Sequence, residues 1–277
     1  MTSRLLTLVF PQWQGSGKRK YVYDGAQAIT ELLPPGTGYA KVPVSLDMDL
    51  RLENGMWGYR QIARQLADAR AIVEAAGPEK IFLIGGDCGT EVAPVSYLNK
   101  LYDGDLAVLW LDAHGDLNSQ STSVTGNFHG MPLRCLLGDG DESFIDRSFS
   151  TIKPSQVIMG GTRDLDTPEA DFIRNNEISV LTVGDIEQGV EKVSRLVKAK
   201  GFHNLYVHID LDVLDSGKCP WGLCLTPDGL GFDTLLDLLH DLKTGSNMAG
   251  ISIVELRPSD NMDIRPLREL VSFCREI

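Results

Sequence analysis

Four apolar runs in this chain stop abruptly at acids or a thiol, and that pattern constrains the fold more than any other feature. Ile81-Phe82-Leu83-Ile84 runs into Gly85-Gly86-Asp87-Cys88. The run from Ala107 to Leu111 ends on Asp112-Ala113-His114-Gly115-Asp116. The run from Leu205 to Ile209 ends on Asp210-Leu211-Asp212, and the run from Ile251 to Val254 ends on Glu255. Near-continuous apolar strands are covered on both faces, which is the setting of parallel sheets. Strands are expected at residues 5–10, 80–84, 106–111, 156–159, 179–182, 205–209 and 248–254. Helical patterns lie between them at 53–76, 91–101, 167–175, 185–200, 233–242 and 264–275. This alternation predicts an α/β fold with a parallel sheet between helical layers. In such sheets ligands bind at the C-terminal edge of the strands, where these acids fall.

Length and composition fit that reading. The 277 residues show no repeat, low-complexity segment or linker, so residues 1–277 read as one domain. An apolar content of 43% is enough for a sizeable core. No apolar run nears the ~20 residues of a membrane span, so no membrane partner is expected. The start of the chain reads as a first strand, not a signal peptide, because Gln12, Gln14 and Lys18 to Lys20 follow it closely. Five cysteines at irregular spacing argue against a disulfide framework, and a reducing cytoplasm is the expected location. A net charge of −12 without a basic face excludes nucleic acid as a partner. Bound divalent cations would offset part of that charge.

The acid pattern carries the chemistry. If the chain is extended after residue 111, Asp112, His114 and Asp116 leave on one side, and Asp210 with Asp212 repeats the device. A lone Asp-x-Asp is ordinarily a cap or turn. Two acid groups at the ends of buried strands are different, because packed carboxylates stay ionised only with a cation among them. Oxygen donors with one imidazole suit Mn²⁺ or a similar ion.

Taken together, Gly85-Gly86-Asp87, Asp112-Ala113-His114-Gly115-Asp116-Leu117-Asn118, Gly126-Asn127-Phe128-His129-Gly130-Met131-Pro132, Asp210-Leu211-Asp212 and Glu255-Leu256-Arg257-Pro258 resemble the ordered motif set of the arginase–agmatinase–formimidoylglutamase (ureohydrolase) family. The likeness runs from about residue 80 to the C-terminus and is loose over the first 75 residues. The resemblance implies a three-layer α/β/α sandwich with a central, mostly parallel sheet and a site for two Mn²⁺ ions. Asp112 and Asp210 would bridge the ions. Asp116 would complete one shell, and His114 with Asp212 the other. His129 matches the family's proton-shuttle histidine and Glu255 the glutamate that holds the guanidinium. The implied activity is hydrolysis of a guanidino or amidino C–N bond by a metal-activated hydroxide. The implied state is a homo-oligomer, a trimer or hexamer.

The chain departs from the family pattern in two places. The family has a histidine after Gly-Gly-Asp, where this chain has Cys88. A thiolate is a poor match for manganese. Three outcomes are open: a softer ion in the first position, a weak or empty position, or an uncharged core thiol in a protein of reduced activity. The loop after Asp212 is also altered, and Cys219 and Cys224 within it read as free thiols with no special role.

Substrate positions carry over in part. Asn118 and Thr125 match contacts to the α-carboxylate of arginine, Asp166 the residue facing its α-amine, and Glu169 a nearby acidic contact. Asp166 and Glu169 also fit a helix N-cap and its capping-box partner. The set favours L-arginine or a related amino acid, with urea and an amine as products. Formimidoylglutamate hydrolysis is the alternative enzyme reading, and a weakened arginase-like binding protein the non-enzyme one. Histone-deacetylase-like sites need paired histidines that are not found here, and binuclear phosphatases need several separated ones. His203, His208 and His240 lie off the motifs and are expected in the core or on the surface.

Overall fold

The alternation of apolar runs and amphipathic stretches builds the expected parallel sheet. The computed structural model describes residues 4–17, 20–260 and 262–277. Met1, Thr2, Ser3, Lys18 and Arg19, on which the reading of the start partly rests, lie outside the described residues. The strands are β1 Leu5–Phe10, β2 Ala40–Lys41, β3 Leu52–Glu53, β4 Met56–Trp57, β5 Lys80–Gly85, β6 Leu106–Leu111, β7 Val157–Gly160, β8 Ser179–Leu181, β9 Asn204–Ile209 and β10 Asn247–Ile253. One eight-stranded sheet runs β2-β1-β5-β10-β9-β6-β7-β8. Every neighbouring pair in it is parallel.

Period-two alternation explains the three layers. In β6, Ala107, Leu109 and Leu111 pack into one apolar cluster, while Leu106, Val108 and Trp110 pack into another on the opposite face. The first cluster is closed by helices Tyr21–Glu31, Phe232–Gly245 and Leu267–Cys274. The second is closed by helices Tyr59–Ala76 and Val92–Leu101. Each fully buried aliphatic side chain contributes about 1.5–3 kcal/mol, so the two-sided sheet interior dominates stabilisation.

Topology places the site. From β6 the chain steps outward to β7 and β8, then returns to β9 beside β6 and steps the other way to β10. Strand order therefore reverses between β6 and β9, and crevices form at such switch points.

Two expected elements differ, and one helix was not expected. The helix expected at 53–76 starts only at Tyr59, because Asn54 (φ 48°) and Gly55 (φ 74°) turn the β3–β4 hairpin. The helix expected at 185–200 is two helices, Val183–Glu187 and Glu191–Ala199, broken around Gly189. The helix Tyr21–Glu31 has no counterpart in the sequence reading. Its Gly25 sits so close to the Leu256 carbonyl that a Cβ there would collide with it.

Candidate metal centre

Register brings the two acid groups together. Leu111 of β6 pairs with Ile209 of β9, so Asp112 and Asp210 leave the sheet side by side. The Asp210 amide donates to the Leu111 carbonyl at 2.9 Å. Each acid then caps its own turn. Asp112 Oδ1 accepts from the His114 amide at 2.7 Å, and Asp210 Oδ1 accepts from the Asp212 amide at 2.7 Å. The capping reading of Asp-x-Asp and the convergence of the acids therefore hold together. The expected extended course after residue 111 is not found. Residues 112–116 bend, and Asp116 lies at φ 54°, a left-handed conformation that costs a non-glycine residue about 1–3 kcal/mol.

The result is one cluster with two ends. Donor atoms of Asp112, Asp210 and Asp212 lie within 4.8 Å of one another. At one end, Cys88, Asp112, Asp116 and His208 meet the same limit, and at the other, His114, Asp212 and Cys224 do. His114 Nδ1 is 3.0 Å from Asp212 Oδ2 and 3.4 Å from Asp112 Oδ1. Cys88 comes from the turn after β5, and its Sγ is 3.2 Å from Asp210 Oδ2.

Charge is out of balance here. Burial, followed by neighbouring acids, pushes the Asp116 and Asp210 carboxyls well above the usual range. Asp212 rises to about 6 for the same reasons, against the pull of His114. Asp112 goes the other way: burial opposes its ionisation, but His114 and His208 outweigh that and hold it low. Burial and the surrounding carboxylates push the Cys88 thiol far up. Buried Asp116 Oδ2 and Glu255 Oε2 have no hydrogen-bond partner among the described residues. Orphaned carboxylate oxygens beside sulfur and imidazole donors are what a divalent cation would satisfy, so the residues present fit a metal.

Beside this cluster stand His129 and Glu255. The strand-end glutamate sits at φ 63° and is held by its own amide on the Gly86 carbonyl at 2.8 Å. Its Oε1 accepts from the Cys88 amide at 3.2 Å and lies 3.1 Å from His129 Nδ1. Burial disfavours the His129 imidazolium, but Glu255 and Asp87 outweigh it and raise the ring's pKa. Asp87 itself faces away from the ion cluster. It accepts from Gln12 Nε2 at 2.8 Å and from the Gly15 amide at 2.9 Å, tying the start of the chain to the β5 turn.

A cavity of about 250 Å³ opens over the cluster. Asn118, Thr125, Asp166 and Glu169 line it together with His129 and Glu255. Cys88, His114, Asp116, Asp210 and Asp212 form its floor, with Asp112 beneath. No lysine or arginine lines it among the described residues. Asp166 and Glu169 do form the expected capping box, each accepting from the other's amide at 3.0 and 3.2 Å. Asn118 Nδ2 donates to Asp166 Oδ2 at 2.9 Å. Glu169 also accepts from the Leu117 amide at 3.2 Å, and burial first of all raises it to about 7.

Four contributors escaped the sequence reading. Cys224, expected to have no role, lies beside His114 and Asp212. Arg163 braces the loop after β9 by donating to the carbonyls of Asp212, Thr226 and Pro227 at 2.8, 2.8 and 2.7 Å. His208, expected in the core or on the surface, is fully buried but reaches the cluster, 3.6 Å from Asp112 Oδ2. Glu91 holds His208 from behind at 2.9 Å. For Arg163 the available signal was its place three residues before Asp166. For His208 it was a polar residue interrupting a buried strand two positions before Asp210.

Comparison with known proteins agrees with the fold. The sequence model of the Arginase family matches residues 27–269. An arginase of Staphylococcus aureus (strain COL) is 32% identical over 235 residues, covering 81% of this chain and 78% of that protein. The crystal structure of Entamoeba histolytica arginase in complex with L-ornithine superposes with a TM-score of 0.80 at 20% identity, covering 99% of this chain and 96% of that one. Formimidoylglutamase of Bacillus subtilis gives a TM-score of 0.70 at 18% identity, covering 97% and 83%. No helix among the described residues is long and apolar enough to cross a membrane. The chain belongs to the arginase family, a family of metal-dependent ureohydrolases.

Proposed function

We propose that this protein hydrolyses the guanidino C–N bond of L-arginine or a closely related amino acid, using two divalent ions held by the acid cluster. The observation that carries the reading is the cavity itself. Metal-type donors form its floor, a buried glutamate oxygen without a partner stands at its side, and no lysine or arginine among the described residues lines it to compete with a guanidinium. Asp112 and Asp210 would hold both ions, Asp116 and Cys88 would serve one of them, and His114 with Asp212 would serve the other. Bound divalent ions acidify water and so supply a strong nucleophile at neutral pH. Manganese is the family expectation for the His114 end.

The chain's own groups do the rest. Glu255 binds the guanidinium through Oε2 while Oε1 stays on the Cys88 amide and His129. This fixes the guanidinium carbon over the acid floor, and positioning of that kind lowers a barrier by several kcal/mol. His129, with Nδ1 engaged by Glu255, carries a proton on Nε2 to the departing amine. At the mouth, Asn118 and Thr125 donate to an α-carboxylate, and Asp166 and Glu169 face an α-amine. Residues 1–277 act as one domain in this reading, since β1 and β10 both flank β5.

The test is a substrate panel on metal-loaded protein, with urea measured by colorimetry. Urea from L-arginine, with little from agmatine, is expected. Formamide from formimidoylglutamate without urea transfers the reading to that substrate. No product from any of the three with any divalent ion overturns the enzyme reading in favour of a binding protein.

A further inference from the structure

We infer that the first ion of this centre takes its imidazole from inside strand β9, with His208 supplying the ring that the Cys88 substitution removes from the β5 turn. The inference rests on the two-ion reading above and deepens it. It starts from an unexplained atom: His208 is fully buried, yet its Nε2 has no hydrogen-bond partner among the described residues. The rest of the ring is tightly held. Trp110 stacks on it with centroids 3.7 Å apart and planes 21° from parallel. Nδ1 is 2.9 Å from Glu91 Oε1, while the Tyr206 hydroxyl occupies Glu91 Oε2 at 2.6 Å.

That arrangement selects a tautomer. With Nδ1–H donated to Glu91, Nε2 presents a lone pair. A carboxylate behind an imidazole in this way is the usual support of a metal-bound histidine. The lone pair points into a group that lacks only an ion. Donor atoms of Cys88, Asp112, Asp116 and His208 lie within 4.8 Å of one another, and Asp116 Oδ2 is also without a partner. Ligand atoms about 2.0–2.3 Å from one ion lie no more than roughly 4.6 Å apart, so the group needs little contraction.

The donor set also names the class of ion. One sulfur, one nitrogen and the carboxylates of Asp112, Asp116 and the shared Asp210 suit Zn²⁺, Fe²⁺ or Co²⁺ better than Mn²⁺. Binding displaces the Cys88 thiol proton, now directed at Asp210 Oδ2, to solvent. The two ends of the cluster therefore prefer different metals.

Chelator-stripped full-length protein, titrated with Zn²⁺ and counted by plasma mass spectrometry after dialysis, tests this without reference to activity. Two bound ions are expected for the wild type. His208→Gln should keep the ion at the His114 end and bind the other at least ~100-fold more weakly, since even outer partners of metal ligands cost 10–100-fold. Unchanged tight binding of both ions by His208→Gln overturns the inference and leaves the hydrolase reading intact. No zinc on the wild type overturns both. If His208→Gln fails to fold, ¹⁵N-histidine resonances of the wild type decide. Zn²⁺ should move His208 Nε2, identified by its contact with Trp110, and an unmoved resonance in the zinc-loaded protein rejects the role.

Discussion

The two ends of the acid cluster are built from different material. At the deep end, Cys88, Asp116 and His208 are almost wholly enclosed, and His208 rises from the interior of β9 between Trp110 and Glu91. At the open end, the side chain of His114 is 28% exposed, and Cys224 comes from a loop held by Arg163. Asp112 joins the two, with Oδ1 toward His114 and Oδ2 toward His208. A ligand on a strand is positioned by packing and register. One on a loop is positioned by whatever holds the loop. The deep end should therefore be rigid and selective, and the open end more tolerant of metal and substrate.

The largest effect expected comes from the residue common to both ends. Asp112→Ala should strip both ions and lower kcat/KM by at least ~10³-fold, about 4 kcal/mol of transition-state stabilisation. Metal analysis checks it, and retention of two ions would remove Asp112 from its bridging place. Next is His129→Ala, which should lower kcat by about 10²–10⁴-fold while metal content stays near the wild-type value. Equal losses of turnover and metal would move His129 into the metal shell.

Third, Glu91→Gln should separate the ends. It leaves the open-end ion in place and weakens the deep one about 10–100-fold, by loosening the His208 tautomer. Equal weakening at both ends, seen by calorimetric titration, would erase the distinction. The smallest effect is at the mouth. Asp166→Ala loses a helix cap and should cost about 0.5–2 kcal/mol of stability, with KM for arginine rising more than kcat falls. A lower melting temperature with unaltered KM would leave Asp166 a cap alone.

The contrast between ends also explains what the sequence could disclose. At the open end, His114 and Asp212 lie in short motifs after apolar runs, and their chemistry is legible because ligand types recur two apart. So was the sheet, because continuous apolar runs have few other uses. His208 was hidden because it sits inside such a run, where a histidine looks like an ordinary core residue. Only the pairing of β9 with β6 and the turn carrying Glu91 reveal what it faces. The helix over Tyr21–Glu31 was hidden for a similar reason. Its Gly25 reads as a helix breaker, and the close approach of Leu256 that requires it is a tertiary contact. The hairpin at residues 52–57 is different: Asn54-Gly55 was visible and is a strong local turn signal.

The chemistry of the site depends on cations lying among the converged acids. Anomalous diffraction from crystals grown with Co²⁺ tests it most directly. Two peaks are expected, one bounded by Cys88, Asp116 and His208, the other by His114 and Asp212, with Asp112 and Asp210 between them. An acid cluster without an anomalous peak, in crystals that hold cobalt elsewhere, would contradict the account.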